Sequence, residues 1–223
     1  MTLAELIANY RIMANDKVAP YFVDDAEVTV FFNEAQEQAA IRGRLLHESD
    51  SSAMCEIKVK QGRATNPINA LMYEITHARW HANGVTSYAP LEIVSTEALD
   101  ATYPRWRVDS QGLPRFIIQG DNTIRLYPAP STEGIVFIEA YRLPKNKLER
   151  GDDEPEINKA HHNALIEWAL YKTFSIPDSE IFDPNKAAVS LEKFNRYFGL
   201  SVDCDLRRTT RHDVVQHVQP FFV

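Results

Sequence analysis

The sequence contains only two cysteines, Cys55 and Cys204, in 223 residues. They lie far apart and neither has a second metal ligand at zinc-site spacing, so we interpret both as free thiols in a reducing compartment. Glycine is also scarce, with eight residues, and none falls in a GxGxxG or GxxxxGK[ST] phosphate-binding loop. A GxSxG nucleophile elbow is missing too. These absences argue against nucleotide-driven chemistry and against a hydrolase triad.

Long apolar runs are missing as well. No window approaches the roughly 18 to 20 apolar residues that a membrane span requires, and the first residues do not resemble a signal peptide, so we expect neither membrane insertion nor export. Lys and Arg number 24 against 31 Asp and Glu, which gives a net charge of −7. This negative net charge disfavours a protein that binds DNA over its whole surface, although a local basic patch is compatible with the charge.

Apolar residues recur at helical spacing through the first 48 residues. Thr2 and Glu5 form a capping-box pattern ahead of a helix with Leu3, Leu6, Ile7, Tyr10 and Met13 on its apolar face. After a loop around Pro20, Asp24 and Glu27 repeat the start signal, which predicts a long amphipathic helix over 24–47. We assign residues 1–50 to an N-terminal helical part.

The apolar period then changes from about 3.6 to 2. Asn83-Gly84 predicts a two-residue hairpin turn, and Ser95-Thr96-Glu97 can start a short helix. On the strand before that turn, Leu71, Tyr73 and Ile75 are predicted to share a face. We expect residues 51–150 to form an inserted antiparallel β lobe with strands at 55–59, 71–81, 85–94, 115–119, 123–128 and 135–142.

Helical spacing returns after Pro155. Asn158 is the expected cap of a helix over 158–175, and Asp183-Pro184 begins another that ends at Gly199. These helices form a C-terminal helical part, 151–200, which we expect to pack on the N-terminal helices. The predicted fold is α+β: a helical bundle built from both ends of the chain, an inserted β lobe, and an extended C-terminal tail at 201–223.

Histidines are the first candidates for chemistry. His77 and His81 are four residues apart, but no carboxylate accompanies them at zincin spacing, and we interpret them as exposed imidazoles on a strand. The adjacent His161 and His162 point apart on a helix, so we expect one to pack and the other to face solvent. We therefore predict no metal centre and no cofactor.

An acidic run precedes the third predicted helix. It contains Asp152, Asp153, Glu154 and Glu156. Carboxylates near a helix N-terminus complement its partial positive charge. A divalent cation or a basic partner surface is the alternative explanation. We interpret Asp203-x-Asp205 as too short and isolated to bind a metal.

The tail has a composition of its own. A cationic cluster, Arg207, Arg208 and Arg211, precedes an apolar segment that contains Val214, Val215, Val218, Phe221 and Phe222. Apolar and aromatic residues at a chain end favour docking onto a neighbouring subunit or partner. Folding back onto the protein's own core is the alternative.

The order of these motifs resembles the head-to-tail adaptor proteins of tailed bacteriophages. The resemblance runs from Leu3 to Gly199 and is concentrated in three segments, 31–49, 111–144 and 154–174. The residues that carry it are Asn33, Glu34, Ala35 and Arg42, then Gly112, Leu113, Pro114 and Leu126-Tyr127-Pro128-Ala129-Pro130, then Glu154-Pro155-Glu156-Ile157, His161, His162, Phe194, Phe198 and Gly199.

The resemblance implies a virion structural protein without enzymatic activity or cofactor, located in the neck and assembled in the host bacterial cytoplasm. Its implied partners are the portal protein, tail or nozzle proteins, and further copies in a ring, commonly of twelve. Genomic DNA would pass through the channel without sequence-specific binding, and no membrane is involved. The ring would extend the DNA channel beneath the portal and provide the tail-docking surface.

The resemblance assigns the tail to portal binding by position only. The residues concerned are Arg207, Arg208, Arg211, Val214, Val215, Val218, Phe221 and Phe222. Because a ring needs two complementary faces, the acidic residues Asp152, Asp153, Glu154 and Glu156 are candidates for the subunit interface. A tail terminator or tail-tube protein is the alternative function, and a metal-dependent enzyme around His77 and His81 ranks below it.

Overall fold

The computed structural model describes residues 1–177 and 179–201. The described chain divides into two compact units. The helical unit comprises Met1–His47 and Tyr141–Ser201, and the β unit comprises Glu48–Ala140. The predicted portal-binding residues of the C-terminal tail, from Arg207 to Phe222, lie outside the described residues, as do Cys204, Asp203 and Asp205.

Helices and strands alternate in blocks along the chain, which is the predicted α+β fold. The helices are α1 Leu3–Ala14, α2 Asp25–Gly43, α3 Ser52–Cys55, α4 Thr96–Thr102, α5 His162–Phe174 and α6 Pro184–Phe198, with a 3₁₀ turn at Lys159–His161. The strands are β1 His47–Glu48, β2 Glu56–Val59, β3 Thr65–Pro67, β4 Met72–Ala82, β5 Ala89–Pro90, β6 Glu92–Ile93, β7 Phe116–Gln119, β8 Thr123–Tyr127 and β9 Gly134–Arg142.

The helical unit packs α1, α2, α5 and α6 around one apolar core. Its fully buried side chains include Leu6, Phe32, Leu165 and Phe194. Tyr10 of α1 crosses this core, where its hydroxyl lies 2.7 Å from the Thr173 hydroxyl. Helices from both ends of the chain therefore share one core, because none can bury its apolar face alone.

The helix starts agree with their local signals. Thr2 and Glu5 form the complete capping box, and the carboxylates of Asp24 and Asp183 accept backbone N–H groups in the first turns of α2 and α6. The predicted end of α2 is wrong by four residues. Arg44 adopts a left-handed conformation after Gly43 and ends the helix there.

The β unit contains two sheets. One has the order β1-β9-β4-β5 with β2 also paired to β9, and the other has the order β3-β8-β7-β6. Ile117 and Ile124, from β7 and β8, are fully buried in the main core of this unit. A smaller cluster around Trp106 and Tyr127 packs beneath α4.

Three predictions for the β unit are wrong. The strand predicted over 85–94 is two short strands in different sheets, because β5 pairs antiparallel with β4 whereas β6 pairs parallel with β7. Residues 83–88 form a longer connection than the predicted two-residue turn. The buried residues of β4 are Met72, Ile75, Ala78 and Trp80. The predicted alternation through Leu71, Tyr73 and Ile75 is therefore wrong, although Leu71 packs half-buried against the same core.

Candidate functional site

The acidic segment before α5 makes a dense set of contacts with its own unit. The Asp153 carboxylate accepts the backbone N–H groups of Arg150 at 2.7 Å and Glu149 at 2.8 Å. These two hydrogen bonds hold the pKa of Asp153 below its ordinary value. Asp153 therefore closes a turn in the folded chain.

The backbone of the same segment caps α1. The first amides of a helix have no partner inside the helix and need an acceptor from elsewhere. Here the N–H of Leu3 donates to the Asp153 carbonyl at 2.7 Å, and the N–H of Ala4 donates to the Gly151 carbonyl at 3.0 Å. The acidic segment is thus part of the scaffold of the helical unit.

Glu156 binds a buried arginine, Arg142. Its side chain pairs with Arg142 at 2.5 Å and accepts the N–H of Lys145 at 2.7 Å. Burial raises the pKa of Glu156, but these two partners outweigh burial and hold the pKa below the ordinary value. Glu156 joins the end of β9 to the segment before α5.

The remaining acidic residues are more open. Glu154 pairs with Lys159 at 2.9 Å. Asp152 pairs with Arg150 at 3.1 Å, and its side chain is 71% exposed. Of the four candidates for a subunit contact, Asp152 is therefore the one with most of its carboxylate facing solvent.

Polar residues of α2 that carry the family resemblance reach across the helical unit. Glu34 pairs with Lys172 at 3.0 Å and lies 3.4 Å from the Trp168 indole nitrogen. The Arg42 guanidinium lies 5.1 Å from the centre of a Trp168 ring and 5.3 Å from the centre of the Phe194 ring. Burial lowers the pKa of Arg42. These residues support the fold, which explains why they mark it in the sequence.

The resembling residues of the β unit fix a chain crossing. Gly112 donates its N–H to the Ala129 carbonyl at 2.8 Å, and the Gly112 carbonyl accepts the N–H of Ser131 at 3.0 Å. Next to this crossing, the Tyr127 hydroxyl donates to Asp109 at 2.7 Å. That hydrogen bond raises the pKa of Tyr127 to about 12.

Of the histidines, His77 is exposed on β4 as predicted, whereas His81 is half-buried and stacks on Tyr88 with ring centres 4.7 Å apart. His162 is fully buried, with its Nε2 atom 3.0 Å from the Ile157 carbonyl, whereas the half-buried His161 contacts Tyr197 at 3.2 Å. Within residues 1–177 and 179–201, no cluster of three His, Cys, Asp or Glu side chains could hold a metal ion.

One cluster was missed by sequence reasoning. The indole of Trp106 is buried, and the guanidiniums of Arg107 and Arg125 lie 4.5 and 4.6 Å from a centre of its rings. The indole nitrogen donates to Asp100 at 2.8 Å, and Arg107 also binds that carboxylate. The only local signal is the run Arg105-Trp106-Arg107, because Arg125 lies on a strand almost twenty residues later.

Among the helices of the described ranges, none is both long and apolar enough to cross a bilayer.

Comparison with known protein families gives a match over most of the chain. A search of curated proteins found no related sequence. The family model described as SU10 adaptor protein matches residues 1–217. The match extends past Gly199 through the arginine cluster and Val214 and Val215, and it stops before Val218, Phe221 and Phe222. This confirms the resemblance to bacteriophage adaptors over nearly the whole chain, and the chain therefore belongs to the SU10 adaptor protein family.

Proposed function

We propose that this protein is a head-to-tail adaptor subunit that forms a homo-oligomeric ring beneath the portal of a tailed bacteriophage. The ring extends the DNA channel, and its far side provides the docking surface for tail or nozzle proteins. The observation that carries the proposal is the family match over residues 1–217. In this function the protein is a structural component of the virion neck, assembled in the host cytoplasm, and it catalyses no reaction.

The polar contacts within the helical unit support a mechanical function. Segments from distant parts of the chain are tied together by buried or half-buried polar contacts, such as Arg142 with Glu156 and Glu34 with Lys172. A ring component that transmits force between head and tail needs a subunit that keeps its shape. The net charge of −7 is also suitable for a channel that lets DNA slide, since a strongly attractive wall would retain phosphates.

We assign portal binding to the C-terminal tail and part of the subunit contact to the acidic segment. In this proposal Arg207, Arg208 and Arg211 supply charge, and the valines with Phe221 and Phe222 supply apolar anchors. Within the acidic segment, Asp152 is best suited to an intersubunit contact because its carboxylate is 71% exposed. Asp153 and Glu156 are already bonded within the unit.

Native mass spectrometry of the purified protein, alone and with its portal protein, tests the ring. We expect a closed ring on the portal, with symmetry visible in negative-stain images. A protein that is indifferent to portal but assembles with tail-tube subunits would favour the alternative tail function. A monomer that ignores both partners would overturn the adaptor assignment.

Deletion of residues 203–223 tests the tail. We expect loss of portal capture with an unchanged far-ultraviolet circular dichroism spectrum for the helices. The double change Phe221→Ala and Phe222→Ala should weaken capture by at least about tenfold if both rings are anchors. If the deletion variant binds the portal protein with unaltered affinity, the tail does not contribute to portal binding.

A further inference from the structure

Of the two guanidiniums that lie over Trp106, that of Arg125 has no anion among the described residues. Arg107 and the Trp106 indole nitrogen share the Asp100 carboxylate. The side chain of Arg125, on β8, lies over the same indole but makes no hydrogen bond or ion pair with any residue of the described ranges. Its Nε atom is buried and has no acceptor. That atom is closed to solvent, so an acceptor from outside this chain would bind the terminal nitrogens of this half-buried side chain.

The geometry suits a carboxylate. Stacking on an indole holds the plane of a guanidinium and leaves its donors oriented as a fork, which matches two carboxylate oxygens. Arg107 already binds a carboxylate in this way, because its two terminal nitrogens donate to the two oxygens of Asp100. The other nearby carboxylate, Asp109, accepts the Tyr127 hydroxyl and lies outside ion-pair distance of Arg125.

The surroundings fit a polypeptide better than a nucleic acid. Tyr103, whose ring lies 5.6 Å from that of Tyr127 in this cluster, is 39% exposed, and Val108, two residues after Trp106, is 74% exposed. A buried indole with Arg and Tyr beside exposed apolar groups is the composition of a protein interface hot spot. A nucleic acid would require a row of unpaired cations along its phosphates, whereas Arg107 is already neutralised by Asp100. The expected ligand is an Asp or Glu next to an apolar side chain.

The helical unit of the same chain presents that combination at the start of α2. Asp24 caps the helix and Asp25 pairs with Arg11 at 2.6 Å. Glu27 is exposed, and within the described ranges its carboxylate has no hydrogen bond or ion pair. Val30, one helical turn further and on the same side of α2, is 55% exposed. The Trp106 cluster and the start of α2 therefore carry opposite charges, and each lies beside exposed apolar side chains.

We propose that Arg125 of one copy binds Glu27 of a second copy, with Val30 packing beside the Trp106 cluster. The contact joins two different surfaces of the same chain, so it is heterologous and can close a ring when repeated. This inference deepens the proposed function and rests on it, because it requires that copies of the chain associate.

Charge reversal in two separate preparations tests the contact. Arg125→Glu alone and Glu27→Arg alone each place like charges at every interface, and we expect each to weaken assembly at least about 30-fold. A one-to-one mixture of the two variants can form alternating rings in which every contact is again Arg with Glu. We expect the mixture to assemble at nearly the wild-type concentration, measured by analytical ultracentrifugation with and without portal.

Controls separate folding from binding. Arg63→Glu reverses another exposed arginine of the β unit and should assemble normally. Arg125→Gln and Glu27→Gln should each weaken assembly without reversing charge, and their mixture should recover only in part, because every second contact of an alternating ring is again Arg with Glu. These two variants decide the question if a reversed variant does not fold.

The other outcomes overturn the inference in distinguishable ways. Wild-type rings that are insensitive to both reversals leave the adaptor proposal standing and remove this contact. A further variant carries both Arg125→Glu and Glu27→Arg in a single chain. Recovery of assembly in that double variant but not in the mixture would place the pair within one chain. Arg125-dependent binding of a single-stranded oligonucleotide would assign the site to phosphate. A wild-type protein that stays monomeric both alone and with the portal protein would contradict both the ring proposal and the Arg125–Glu27 contact.

Discussion

Asn33 satisfies both backbone polar groups of Leu148. Its amide nitrogen donates to the Leu148 carbonyl at 2.9 Å, and its amide oxygen accepts the Leu148 N–H at 2.8 Å. Leu148 is buried in the helical core, so these groups have little access to water. A single side chain on α2 thereby holds the segment that leads from β9 toward α5.

Replacing Asn33 with Ala should destabilise the helical unit. The change leaves one N–H and one carbonyl of Leu148 without partners, and each such loss typically costs about 1–3 kcal/mol when buried. We expect a lower urea midpoint in the circular dichroism signal of the helices. Asn185→Ala, at an exposed position in α6, is the matched control and should leave the midpoint near that of the wild type. Equal stability of the two variants would contradict this account.

Gly134 is required at the start of β9 because no space exists for a side chain. A Cβ atom there would lie 2.4 Å from the His81 carbonyl oxygen and 2.7 Å from the Trp80 ring. We expect Gly134→Ala to lower the free energy of unfolding by about 1–3 kcal/mol through overpacking. The control is Gly151→Ala, whose Cβ would lie an ordinary 3.5 Å from that of Ala4. Thermal unfolding of both variants checks the prediction, and an unchanged Tm for Gly134→Ala would refute it.

Stability should fall in acid partly through Glu156. Its pKa is lowered in the folded state, because Arg142 and the Lys145 N–H outweigh the effect of burial. A carboxylate with a lowered folded pKa stabilises the protein above its unfolded pKa, and this contribution is lost as pH falls through the folded pKa. The loss should begin near pH 5, slightly above the ordinary value of 4.5.

Glu156→Gln should flatten that pH dependence and lower stability at pH 7 by about 1–2 kcal/mol. Urea unfolding at a series of pH values measures both effects. Glu180→Gln, an exposed carboxylate of the same unit, should retain the wild-type slope. If Glu156→Gln also keeps that slope, the acid sensitivity originates elsewhere, for example at Asp153.

Tyr127 should remain protonated to unusually high pH. Its hydroxyl donates to Asp109, and this hydrogen bond raises its pKa to about 12 from the ordinary 10.0. The resulting stability is complete below pH 10 and is lost as pH rises through 12. In Asp109→Asn we expect the pKa of Tyr127 to move toward 10, measured by nuclear magnetic resonance of labelled tyrosine ring carbons. Asp121→Asn serves as the control, and a Tyr127 pKa that stays near 12 in Asp109→Asn would exclude this cause.

The starts of α1, α2, α4 and α6 were predictable because their causes are local. Thr2 accepts the N–H of Glu5 only three residues away, and Ser95 does the same for Ala98. Such hydrogen bonds depend on side chains within one helical turn, which the sequence shows directly. The division of 85–94 into β5 and β6 was not predictable, since β6 takes its partner from β7, more than twenty residues later.

The candidate sites divide in the same way. The sequence by itself determined the α+β alternation, the capped helices and the residues that mark the adaptor family. Only the tertiary structure decided that Glu156 pairs with Arg142 and that Arg125 lies over Trp106 with no anion from the part of the chain that the structure describes. Caps and periodicity arise from neighbours along the chain, whereas sheet registers and the partners of charged side chains depend on segments that folding brings together.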